Sequence, residues 1–246
     1  MADYVNRHPF GMDPSEDQIA DAVAEAKKVY EGIPATTCDH RVDCCSAGCP
    51  NMYYNEFLAI RRGVVDKMSK KERIDLTIGC VQRYLQHQLE LKPCVFLKDN
   101  MCSVYEHRHL KCRLYGLIPD SLYSWITKTV ADDMQVDRKC LPLCNQCQFV
   151  KVAPEDAERF PDGKVPESDI KKMEKRLISL DKKLGMKKEI QEDGFGFLTY
   201  HDWHLLFEFG EEWMEKLTQL RINLKEKQKE QFVESLKNAL ESKLEG

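Results

Sequence analysis

The chain has 246 residues, 42% of them hydrophobic, with eleven cysteines and a formal net charge of −4 at pH 7. That apolar content supports a packed core and excludes global disorder, while the mildly acidic balance offers no electrostatic footprint for nucleic acid. No apolar run is long enough to span a bilayer, and the first twenty residues lack the basic and apolar regions of a secretory signal, so a cytoplasmic location is expected.

The first element reads as a helix. Asp13-Pro14-Ser15-Glu16 supplies an N-cap at Asp13, a proline at the first helical position and an acidic first turn. Ile19, Val23, Ala26 and Tyr30 follow at helical spacing, and Gly32 and Pro34 stop the run. A cysteine-rich loop comes next. A second helix is expected to start near Asn51 to Asn55 and to carry Phe57, Leu58 and Ile60 before Gly63. Ser69 and Glu72 form a capping-box pattern ahead of an apolar stripe at Ile74, Ile78, Val81, Leu85 and Leu89. Cys80 lies off that stripe and reads as a surface or core thiol.

The segment "CVFLKDNMCSVY" predicts two short strands about a turn at Lys98-Asp99-Asn100, which would bring Cys94 and Cys102 together. "EHRHLKCRLYG" leads to Cys112 and is broken by Gly116 and Pro119. "SLYSWITKTV" fits helix or strand. Past Val150, "APEDAERFPDGKVPESD" reads as a polar connector. Ile170, Met173, Leu177, Leu180 and Leu184 then mark an amphipathic helix ended by Gly185. Another helix is expected from Thr199 through Trp203, Leu206, Phe207, Trp213, Leu217 and Leu220, and a last one carries Phe232, Leu236, Ala239 and Leu240. The expected fold is mainly α with a small β-hairpin: an irregular cysteine-rich metal or cluster core over residues 1–150, and a helical C-terminal unit over 151–246. The charged run Lys225–Lys229 reads as a solvated face.

All eleven cysteines lie between Cys38 and Cys147. In a reducing compartment disulfides are rare, so clustered thiols point to metal or cluster ligation. Ten of them form three sets: Cys38, Cys44, Cys45 and Cys49; Cys94, Cys102 and Cys112; and Cys140, Cys144 and Cys147, spaced C-x3-C-x2-C. Soft thiolates select zinc, copper(I) or iron–sulfur clusters, and four of them complete a zinc site or a [4Fe–4S] cluster. Side chains of the neighbours Cys44 and Cys45 leave the backbone in different directions, so the loop is expected to serve two directions.

"CDHRVDCC", "CVFLKDNMC" and "CSVYEHRHLKCRLY", in that order, resemble the YkgJ-type cysteine-cluster family, described as zinc- or iron-chelating proteins. The resemblance covers about Cys38 to Tyr115. It implies that Cys38, Cys44 and Cys45 match the family's first block and Cys94, Cys102 and Cys112 its second, with Tyr105, Arg108 and Arg113 as accessory residues beside the cofactor and Glu56 as the family's acidic residue. Two positions depart from the pattern: Arg41 stands where the family has its second cysteine, and His109 where it has a proline. Cys49, His40 or the third cysteine set would have to supply the missing ligand. Flagellin lysine methylases share the cysteine pattern, which implies a [4Fe–4S] cluster as the cofactor, with zinc as the alternative. Arg108 and Arg113 would then offset the negative charge of a thiolate-bound cluster.

Three functions compete at this level. The first is an iron–sulfur protein of redox or electron transfer, alone or as an accessory subunit of an enzyme. The second is a structural or regulatory zinc module. The third is a cluster-dependent protein-modifying enzyme resembling the lysine methylases. The spacing Cys140-x3-Cys144-x2-Cys147 matches the bare radical-enzyme motif but lacks the βα repeats that normally follow it. No catalytic residue is assigned. His201 and His204 are one turn apart, yet Thr199 and Asp202 account for that segment as a helix cap. The aromatic residues Trp203, Phe207, Phe209 and Trp213 are expected to pack on the cysteine-rich part or to meet a protein partner through the C-terminal helices.

Overall fold

A computed structural model of the chain describes residues 8–38, 43–46, 48–86, 93–141, 146–187 and 198–242. Most of the chain is helical, and three two-stranded antiparallel sheets complete it. Helix α1 (Glu16–Tyr30) is capped by Ser15, whose hydroxyl accepts from Gln18 N while the Gln18 side chain returns to Ser15 N. The cap is therefore Ser15 and not Asp13, because the reciprocal Ser–Gln box satisfies two otherwise orphaned donors. Helix α2 (Asp43–Ser46) is a single turn in the cysteine loop, and α3 spans Tyr54–Gly63. Helix α4 (Lys70–Leu85) has the expected Ser69–Glu72 box and buries Ile74, Ile78, Val81 and Leu85. Leu89, the last residue of that predicted stripe, lies outside the described residues.

The expected hairpin forms from β3 (Leu97–Lys98) and β4 (Met101–Cys102), with Leu97 opposite Cys102. Asp99 and Asn100 both take positive φ, 48° and 57°. That pair of left-handed residues makes the two-residue turn whose twist matches the strands. Helix α5 (Leu110–Leu114) is short, and α6 (Asp120–Asp133) settles the ambiguous "SLYSWITKTV" as helix.

Helix α7 (Glu167–Lys183) buries Ile170, Met173, Leu177 and Leu180. The helix expected from Thr199 is two helices, α8 (Tyr200–Phe209) and α9 (Glu211–Asn223), because Gly210 sits at φ 81° between them. At such a φ a side chain would be strained, and the helical hydrogen bonding is interrupted. Helix α10 (Glu226–Ser242) buries only Val233.

Two other strand pairings tie distant parts of the chain together. Strand β1 (Thr36–Thr37) pairs with β5 (Lys151–Val152), and β2 (Asn51–Met52) pairs with β6 (Leu198–Thr199). One lies just before Cys38 and the other just after Cys49. Both ends of the cysteine loop are thus fastened to the later half of the chain.

The core has two apolar clusters. The first joins Tyr54, Phe57 and Ile60 of α3, Val81 and Leu85 of α4, Trp203 and Phe207 of α8, and Leu217 of α9. The aromatic segment therefore packs inward, as expected: Trp203 is fully buried, and its indole Nε1 donates to Met52 O at 3.1 Å. Cys80 is fully buried in this cluster, as a core thiol. The second cluster joins Ala26 and Val29 of α1, Leu110 and Leu114 of α5, and Ile170, Met173, Leu177 and Leu180 of α7.

Helix α3 lies between the clusters, and buried carboxylates fix it. Asp181 of α7 accepts from Tyr54 N at 3.1 Å and Asn55 N at 2.8 Å, serving as a remote cap for donors that would otherwise be orphaned at the helix start. No helix among the described residues is long and apolar enough to cross a membrane.

Candidate metal or cluster site

The cysteine loop, the hairpin and α5 meet around one cavity of about 50 Å³. That is several times the roughly 10–15 Å³ that one water molecule needs. Seven thiols line it: Cys38, Cys44, Cys45, Cys49, Cys94, Cys102 and Cys112. Met52, Ile60, Phe96 and Val104 supply apolar wall, and Gly48, Tyr105, Arg108 and His109 complete the lining.

The loop contributes four of the seven thiols. Helix α2 presents Cys44 and Cys45, whose sulfurs lie 3.8 Å apart. Sequence reasoning sent these neighbours in two directions; in the fold both line the same cavity, because the cavity wraps around the end of this short turn and meets side chains that leave it about 100° apart. The backbone of Cys94 reaches back to the loop, with Cys94 N donating to Cys45 O at 2.6 Å. Cys49 Sγ donates to Pro50 O at 3.6 Å. In the hairpin, Ser103 N and Ser103 Oγ both donate to Phe96 O, at 2.9 and 3.0 Å. These bonds lock the strand that carries Cys102.

Glu56 positions α5 and with it Cys112. It is 1% exposed and accepts from Tyr30 Oη at 2.6 Å, Leu110 N at 2.7 Å and Tyr53 N at 3.0 Å. Burial raises its pKa, opposed by these hydrogen bonds. The acidic residue that the family resemblance pointed to therefore stands behind the cavity as a brace, with its carboxylate on the first turn of α5. Arg108 stacks its guanidinium 3.6 Å from the centre of the Tyr105 ring, and its Nε donates to Tyr105 O. Arg113 is not among the residues lining the cavity. Its Nε donates to Arg108 O at 2.6 Å and its Nη2 to Glu106 O at 2.7 Å, so it holds the 105–113 loop in shape while Arg108 supplies the charge at the cavity.

The thiols divide by their tendency to ionise. Cys102 is lowered to about 6, chiefly by a hydrogen bond from Cys45, with the Arg108 charge adding a smaller effect. Cys44 is lowered to about 7 for the same two reasons. Cys45, which donates to both, is raised. Cys94 is raised by its bond to Cys49 and by burial, and Cys112 by burial. Cys102 and Cys44 are thus the readiest to become thiolates, while Cys45, Cys94 and Cys112 hold their protons. A bound metal would displace the remaining protons, since it is the thiolate that ligates.

Two members of the third cysteine set lie elsewhere. Cys140 is exposed, and neither it nor Cys147 lines the cavity. Cys144, Arg41 and His40 lie outside the described residues. His201 hydrogen-bonds to Thr199 Oγ1, and His204, fully buried, bonds to Thr77 Oγ1 at 2.9 Å. Both act within the helical packing.

No family model matches this chain, and neither does any curated protein or solved structure. The reading of the site therefore rests on its own chemistry. Among the described residues, no three Cys, His, Asp or Glu side chains converge as the ligands of a single ion. The seven thiols instead surround a volume. The result is a soft donor set around a cavity, with the Arg108 guanidinium beside it.

Sequence reasoning missed two residues. Asp181 stands in a helix as one acidic residue among lysines, and nothing local marks it as the cap of a helix more than a hundred positions earlier. His109 entered only as a departure from the family pattern. It is 2% exposed, lines the cavity, and places Nε2 at 3.0 Å from Cys112 Sγ. Burial, with help from the Lys111, Arg113 and Arg108 charges, lowers its pKa to about 3 and keeps the ring neutral.

Proposed function

We propose that this protein is an iron–sulfur cluster-binding protein, serving in redox or electron transfer or as an accessory subunit of an enzyme, with a [4Fe–4S] cluster as the most suitable occupant. The observation that carries this reading is the ring of seven thiols from three separate chain segments around one cavity. Such a ring exceeds what one zinc ion takes and supplies the four thiolates a cluster needs. Cys44, Cys102, Cys94 and Cys112, drawn from the loop, the hairpin and α5, are the proposed core of the ligand set, with Cys38, Cys45 and Cys49 available around them. When bound, the cluster would accept and release single electrons. The chain's own residues would exclude water with Phe96, Val104 and Ile60 and temper the negative charge with Arg108. The resemblance to the YkgJ-type family belongs to the same proposal.

Zinc is the second reading. Two thiolates on one tetrahedral zinc stand ~3.8 Å apart, given Zn–S bonds of ~2.3 Å; Cys44 and Cys45 have that separation. Anaerobic purification followed by iron, acid-labile sulfide and zinc analysis decides between them. A brown protein with iron and sulfide in equal amounts is expected. A colourless protein carrying zinc alone would sink the cluster reading.

A further inference from the structure

We propose that His109 is a positioning residue for the cluster: its Nε2–H donates a hydrogen bond to the sulfur of Cys112 and raises the cluster's reduction potential. The inference rests on the cluster reading and adds to it the residue that tunes it.

The geometry gives His109 its role. The imidazole is 2% exposed and lines the cysteine cavity. Its Nε2 lies 3.0 Å from Cys112 Sγ. Two groups bound to one tetrahedral metal, one through nitrogen and one through sulfur, would stand ~3.5 Å apart from bond lengths of ~2.0 and ~2.3 Å. The observed contact is shorter and is that of a hydrogen bond between the ring and the sulfur. Cys112 ligates only as a thiolate, which has lone pairs and no proton. A bare ring nitrogen cannot face it at this distance, so the Nε2 of the neutral ring must carry the hydrogen.

The other ring nitrogen supports the same assignment. Nδ1 is buried and has no hydrogen-bond partner among the described residues. A buried, unsatisfied polar atom is costly and calls for a reason. With the proton on Nε2, Nδ1 is an idle acceptor, and the fold bears its cost in order to aim the one N–H at sulfur. The neighbouring backbone fixes the ring. His109 sits at the N-cap of α5, whose first amide, Leu110 N, is bonded to Glu56, and Arg113 N donates to His109 O at 3.1 Å. Hydrogen bonds to cluster sulfur stabilise the more negative, reduced form, as does positive charge nearby.

The test uses the full chain, prepared anaerobically, as wild type, His109→Phe and His109→Gln. Iron and sulfide content is measured first, then the midpoint potential by optical titration. His109→Phe is expected to keep wild-type iron and to lower the potential, changing the reduced-to-oxidised ratio at fixed potential about tenfold, or about 59 mV for one electron. His109→Gln, which retains an N–H donor, is expected to recover part of the shift. Equal potentials in all three would overturn the role of His109 while leaving the cluster reading intact. Absence of iron and sulfide from the wild type would sink the cluster reading and this inference with it. The wild type itself supplies a second measurement: hyperfine spectroscopy of the reduced protein labelled with 15N-histidine. A weakly coupled nitrogen is expected. A strongly coupled nitrogen that vanishes in the equally labelled His109→Gln protein would make His109 a ligand, and no coupling at all would remove it from the site; either result overturns the proposal.

Discussion

Cys38 to Cys112 and Cys140 to Cys147 present the same side chain in two contrasting settings. The later set has the tidier sequence, a compact C-x3-C-x2-C, yet Cys140 is exposed and neither it nor Cys147 reaches the cavity. The earlier thiols are irregularly spaced over more than seventy residues, and seven of them enclose one volume. Spacing governs what a single turn can ligate. It does not decide where thiols from separate segments meet. Here that is decided by long-range anchoring: two strand pairings at the ends of the loop, the Cys94–Cys45 backbone bond, and Glu56 behind α5.

The largest effect expected from this contrast is on cofactor content. Replacing Cys102 and Cys112 together by Ser should reduce bound iron to background, as metal analysis of the anaerobically purified chain would read. Retention of wild-type iron would show that the cavity is not the site.

Next in size is the anchoring. Trp203 is fully buried against α3 and bonds to the carbonyl of Met52 in β2. Trp203→Ala should cost about 3–5 kcal/mol in urea unfolding and should lower iron content although Trp203 is not among the residues lining the cavity. A variant destabilised to that degree with full iron would show that the loop keeps its shape without β2.

A smaller effect concerns the carboxylate that caps α3. Burial raises Asp181 from 3.8 to about 7. An acid whose folded pKa lies above its unfolded value binds more protons when folded, so its contribution to stability is present below about pH 4 and is lost as pH rises through about 7. Asp181→Asn should flatten that part of the stability profile, as denaturant melts between pH 4 and pH 8 would reveal. An unchanged slope would assign the pH dependence to other groups.

The smallest effect is expected at the contrasting thiols. Cys140→Ser combined with Cys147→Ser should change stability by no more than about 0.5 kcal/mol, as surface substitutions usually do, and should leave iron content unchanged. A loss of half the iron would mean that these thiols hold a second centre.

The sequence exposed those parts of the fold whose signals are local. The Ser69–Glu72 box and the stripe behind it gave α4. The three- and four-residue spacing from Ile170 to Leu184 gave α7, and Lys98-Asp99-Asn100 gave the hairpin. Gly210 was legible in principle, but the apolar pattern runs through it, and periodicity masked the break. The β1–β5 and β2–β6 pairings left no trace, since two-residue strands have neither alternation nor a connecting turn. At the site, the cysteines and Arg108 were readable from type and order. His109 was not, because a lone histidine beside a cysteine is common, and only burial with an unsatisfied Nδ1 singles it out.

The short pairings at residues 36–37 with 151–152 and 51–52 with 198–199 also set an order of events during synthesis. Translation proceeds from the N-terminus, so the seven cavity thiols leave the ribosome well before either of the strands that fasten their loop. Until residues 198–199 emerge, the nascent chain displays reactive sulfur on an unclamped segment. Contacts of such long sequence separation form late and slowly. The thiols on either side of this loop therefore share one cavity only once residues 198–199 are in place.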